Sequence, residues 1–83
     1  MDILEKAHIH CRHNRAEVQE SKLCGCFYCR QIFDALEINE YVDEGDTTVL
    51  CPRCHIDAII GDNSGIKLTL EFLEKMYSRW FDV

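Results

Sequence analysis

No run of apolar residues in this chain approaches the roughly eighteen that a membrane-spanning helix needs, which argues against a helical span. The opening stretch MDILEKAHIHCRH also lacks the long apolar core of a signal peptide. The chain is therefore expected in the cytoplasm, where thiols stay reduced. Low-complexity runs and Pro/Gly-rich linkers are missing too, which leaves a single domain over residues 1–83. Basic residues are few: nine Lys and Arg stand against fifteen Asp and Glu, for a net charge of −6. Unassisted binding to phosphate backbones depends on clustered cations, so nucleic acid is not an expected partner. A core built from 83 residues is marginal, and folds of this size often recruit a metal or disulfides.

Cysteine is what the chain does have. Five of its six cysteines fall in two clusters, CGCFYC at residues 24–29 and CPRC at residues 51–54. Cys26-x2-Cys29 and Cys51-x2-Cys54 are separated by 21 residues, close to the spacing of two-knuckle zinc sites. A two-residue spacer lets two thiolates converge on one tetrahedral ion, and a second pair closes the shell. Soft thiolates select zinc or iron over magnesium or calcium. The expected ligands are Cys26, Cys29, Cys51 and Cys54, around a zinc ion that is structural because four protein ligands leave no position for substrate. Cys24 lies two residues before Cys26 and shares its face in an extended chain. The spacer to Cys29 selects Cys26, with Cys24 as the alternative ligand. Cys11 is expected in the core.

Apolar periodicity predicts an amphipathic helix over residues 2–20, capped by Asp2, with Asn14 and Arg15 as points where it bends or breaks. A knuckle and a short extended segment follow from Leu23 to Phe33. Asp34 and Glu37 resemble a capping box for a brief helix that ends near Val42, before the turn-forming DEGD. Thr47–Leu50 reads as a strand. Pro52 suits the first turn of a helix carrying Ile56, Ala58, Ile59 and Ile60 and ending at Gly61. Such a helix would deliver the last two ligands, giving a treble-clef-like finger over residues 23–61. Thr69 caps a final helix over residues 69–82. Its Leu73, Met76, Tyr77 and Trp80 are expected to pack on Ile56, Ile59 or Ile60 and on the first helix. The fold class expected is small α+β, mostly α, with the finger flanked by an N-terminal and a C-terminal helix.

The pattern HNR.EV..S..CGCFYC...F....I.E..DEG.TT.LCP.C.IDA.IGD.SG, together with the closing EFLEKMYSRWF, resembles a family of small, uncharacterised bacterial cytoplasmic proteins with a CGCFYC…CPxCxIDxxIG zinc-binding signature. The resemblance spans about residues 13–82 and implies zinc at Cys26, Cys29, Cys51 and Cys54. His55 departs from that pattern, which usually carries glycine there.

Other chemistries fit less well. The HNH nuclease finger needs a catalytic histidine between its zinc pairs, and residues 30–50 contain none. His8, His10 and His13 lie elsewhere, without an obvious carboxylate triad. Rubredoxin-like iron sites place glycine after each knuckle, where this chain has Arg30 and His55. Asp43, Glu44 and Asp46 read as a solvated turn, and Asp57 as a structural acceptor. The sequence thus points to a non-catalytic zinc-binding protein with an unknown protein partner and no indicated small-molecule substrate. The alternatives are an HNH-derived nucleic-acid-binding or nuclease finger, and an acidic inhibitor of a partner's nucleic-acid-binding surface.

Overall fold

The computed structural model describes residues 2–82. Helix α1 (Ile3–Ile9) begins at a reciprocal cap. The Asp2 carboxylate accepts from the Glu5 backbone N–H at 2.9 Å, and the Glu5 side chain accepts from the Asp2 N–H. The helix expected over residues 2–20 does not continue. His13 is left-handed at φ 50°, and the chain restarts as α2 (Arg15–Gln19). Asn14 causes the break. Its side chain is buried, donates to the carbonyls of His10 at 3.0 Å and Ile59 at 2.8 Å, and accepts from the Val49 N–H at 3.1 Å. These bonds satisfy groups on three separate segments, a return that one straight helix cannot match.

Three antiparallel strands form the main sheet, with Leu23–Cys26 (β1) in the centre, Gln31–Asp34 (β2) on one side and Ile59–Gly61 (β5) on the other. Strand β1 (Leu23–Cys26) pairs with β2 (Gln31–Asp34) across the first knuckle, with Cys24 opposite Phe33 and Cys26 opposite Gln31. A second ribbon pairs β3 (Tyr41–Val42) with β4 (Thr48–Val49). DEGD forms the turn between them, with Asp43, Gly45 and Asp46 at positive φ. The brief helix expected from Asp34 to Val42 shrinks to one 3-10 turn, Ala35–Glu37. Asp34 caps it by accepting from Leu36, while Glu37 turns away to Arg53.

The largest departure follows the second knuckle. Residues 52–58 form turns instead of the expected helix, and β5 (Ile59–Gly61) adds to the open side of β1, with Cys24 opposite Gly61 and Cys26 opposite Ile59. A short apolar run reads equally well as buried strand or helix, and the pairing with β1 decides it. The architecture is a small α+β fold in which no helix delivers the second pair of cysteines.

Helix α3 (Leu70–Trp80) starts at Thr69, whose hydroxyl accepts from the Phe72 N–H at 3.1 Å. Leu73 and Met76 are fully buried in one cluster with Ile59, Ile60, Phe27 and Val49. Burial of each is worth about 1.5–3 kcal/mol before entropy. A Cβ at Gly25 would lie 3.1 Å from a Leu73 methyl, so α3 rests directly on β1. Trp80 stacks on His8 of α1 with ring centroids 3.9 Å apart. Tyr77 instead packs toward the first knuckle, against Tyr28.

Candidate metal centre

The sulfurs of Cys26, Cys29, Cys51 and Cys54 all lie within 4.8 Å of one another. Across the two pairs, Cys26 Sγ is 3.6 Å from Cys54 Sγ, and Cys29 Sγ is 3.7 Å from Cys51 Sγ. A tetrahedron with metal–sulfur bonds of about 2.3 Å has edges of about 3.8 Å. These separations match that edge and are far too long for a disulfide of about 2.05 Å. No other group of three or more metal-ligating side chains converges among the described residues.

The two knuckles are built alike. After each Cys-x-x-Cys the chain turns back with a backbone bond, from Arg30 to the Cys26 carbonyl at 2.8 Å and from His55 to the Cys51 carbonyl at 2.9 Å. Both closing residues are left-handed, Arg30 at φ 59° and His55 at φ 65°. Glycine adopts that conformation without steric cost, which is the physical reason a knuckle favours glycine there. Here the side chains find partners instead. The Arg30 guanidinium lies 4.1 Å from the centre of the Tyr77 ring, and His55 Nδ1 is 2.7 Å from a Glu40 carboxylate oxygen.

Backbone N–H groups point at the sulfurs. Cys29 N–H donates to Cys26 Sγ at 3.5 Å, and Arg53 and Cys54 N–H donate to Cys51 Sγ at 3.3 and 3.4 Å. Burial raises the Cys51 pKa, but these two donors and sulfur contacts from Cys54 and Cys29 outweigh it, so the net direction is down. Burial pushes the Cys54 thiol up to about 11 and moves Cys26 upward as well. Four thiols so close together cannot all ionise without a cation among them. A divalent ion reverses that balance and deprotonates its thiol ligands. The residues present fit such an ion.

Cys24 stands outside the group, buried on the central strand, where burial followed by Asp62 and Asp34 raises its thiol to about 12. Cys11 is buried at the end of α1. The histidines point to separate partners: His10 to Glu17 at 2.8 Å, His13 to Thr47 at 2.7 Å, and His8 to Trp80. Asp57 receives no bond from Arg53, which pairs with Glu37 at 3.2 Å. The left-handed backbone at Arg30 and His55 had no sequence signal, because glycine is its usual marker. Beside the break, which falls at the Asn14 and Arg15 expected to interrupt the helix, Arg12 lines a cleft with Phe27 and Trp80. No helix among the described residues is long and apolar enough to cross a membrane. No protein-family model, curated protein or solved structure matches this chain.

Proposed function

We propose that the protein is a cytoplasmic zinc-binding module without catalytic activity of its own, serving protein interaction or regulation. The observation that carries this reading is the convergence of four cysteine sulfurs at tetrahedral separations, supplied by two knuckles of the same build. Four protein ligands fill the shell of a zinc ion, so the metal would hold the fold rather than a substrate. The same residues would hold iron. Zinc is favoured because the knuckle-closing positions carry Arg30 and His55, where iron sites of this kind usually carry glycine.

The resemblance to small bacterial zinc-binding proteins supports the same reading, because the polar positions of its signature do structural work here. Asn14 ties three segments together, and the Ser21 hydroxyl accepts from the Asn63 N–H. The Asp62 carboxylate accepts from the N–H groups of Lys22 and Leu23. A candidate partner face lies beside the first knuckle, where Tyr28 and Tyr77 meet Phe81 and Arg30 lies over Tyr77. Aromatic residues and arginine dominate binding hot spots. Native mass spectrometry with elemental analysis should find one zinc per folded chain. A metal-free chain that is fully folded in reducing buffer would sink the proposal.

A further inference from the structure

Most arginines of this domain are already engaged. Arg15 donates to the Asp46 carbonyl and lies over Tyr41, and Arg30 lies over Tyr77. Arg53 pairs with Glu37, and Arg79 with Asp2 and Glu5. Arg12 is the exception. Among the described residues it is the one arginine without an ion pair, a hydrogen bond or a ring beneath it.

Arg12 lines a cleft of about 650 Å³ between the end of α1, the end of α3, the first knuckle and the loop after the second. That volume lies within the range of about 300–1,000 Å³ usual for small-molecule sites. The wall is aromatic: Phe27, Trp80 and Phe81 line it, with Phe27 and Phe81 centroids 5.6 Å apart. Asp57 lines the same cleft and has neither a hydrogen bond nor an ion pair among the described residues. Arg12 and Asp57 both act through space on His8 and Cys11, yet do not pair with each other. Burial, followed by the charge of Arg12, holds the His8 pKa below its ordinary value. Both effects disfavour the imidazolium, so Arg12 is the permanent cation of the cleft.

One unpaired cation and one unpaired anion facing a single apolar-walled space complement a particular kind of ligand. A simple anion would meet repulsion from Asp57, and a simple cation would meet it from Arg12. A neutral apolar molecule would engage neither charge. We propose that the cleft binds an amphipathic zwitterion of the aromatic amino-acid class. Its carboxylate would sit on Arg12, its ammonium on Asp57 and its ring against Phe81 and Trp80, with the buried Phe27 behind them. This site is separate from the four cysteines and stands whether or not the metal is zinc.

Trp80 is the only tryptophan, so its fluorescence reports on the cleft directly. The metal-loaded full chain is titrated with L-phenylalanine, with phenethylamine, which lacks the carboxylate, and with 3-phenylpropionate, which lacks the ammonium. Binding of phenylalanine is expected, with each singly charged probe weaker by about tenfold or more, as loss of one charge-assisted bond implies. Arg12→Gln should erase the preference for phenylalanine over phenethylamine, and Asp57→Asn the preference over 3-phenylpropionate. Both side chains are exposed, and amide shifts in a heteronuclear NMR spectrum report that the variants are folded. No change in fluorescence or in the amide shifts of cleft residues at millimolar probe overturns the proposal. So does equal binding of all three probes, or an Arg12→Gln variant that discriminates like the parent.

Discussion

Replacing Asn14 with alanine tests whether one buried amide holds the two sheets of this fold together. Its three side-chain bonds reach His10, Ile59 on β5 and Val49 on β4. Each neutral bond contributes about 1 kcal/mol net, and a buried backbone group stripped of its partner costs about 1–3 kcal/mol more. Val49 is fully buried, so water does not reach its freed N–H. The expected loss is about 3–5 kcal/mol, a large part of the roughly 5–15 kcal/mol that stabilises a typical domain. Domains of this size lose about 4–8 °C of Tm per kcal/mol, so a drop of at least about 12 °C is expected. Thermal melts at fixed metal loading measure it, and amide exchange should quicken first at Val49. Asn14→Asp separates packing from hydrogen bonding. The acid keeps the shape and the acceptor but turns both donors into oxygen facing the carbonyls of His10 and Ile59, so it should cost at least as much. If Asn14→Ala melts within about 1 kcal/mol of the parent, the amide is not the brace and the break at His13 needs another cause.

Three further outcomes are expected. Cys54→Ser should lose both the bound metal and the cooperative melt, since a broken shell forfeits much of the binding free energy; titration with a zinc indicator and calorimetry check both. Gly61→Ala should cost about 2–4 kcal/mol, because the new methyl would collide with the Ser21 hydroxyl, which bonds Glu17 and Asn63. Adding Ser21→Gly should recover part of that loss in urea unfolding, and strictly additive effects would refute the collision. Stability should fall in alkali. The Cys24 thiol ionises near 9.0 when unfolded and near 12 when folded, so its protonated burial stabilises fully below pH 9 and is lost as pH rises toward 12. Urea melts across that range should show a shallower decline for Cys24→Ala, and an unchanged slope would contradict the assignment.

Local signals carried far in this sequence. The caps at Asp2 and Thr69, the period of α3, the short β-branched strand before Cys51 and the turn at DEGD all follow from residues within a few positions of one another. The four converging cysteines were legible for a similar reason: the two-residue spacer is a local geometric constraint. What escaped depended on distant partners. Ile59 and Ile60 extend because β1 offers an open edge that only the folded chain provides. The break at Asn14 was legible as a polar interruption of the apolar stripe, but its partners were not, because Val49 and Ile59 lie 35 and 45 residues away.

The strand after the second knuckle also has a kinetic meaning. Cys26 opposite Ile59 is a pairing between segments far apart in the chain, and such contacts are slow to form because a long loop must close first. An ion held by Cys29 and Cys51 closes the intervening 21-residue loop in advance, an entropic task of about 3 kcal/mol. Once the knuckles share a metal, β5 emerges beside the end of β1 and needs only to zip toward Cys24 opposite Gly61. Metal capture by the unfolded chain would then act as a nucleation step, raising the refolding rate as well as slowing unfolding. Zinc supplied before refolding and zinc supplied after it should therefore give the same final state along different time courses.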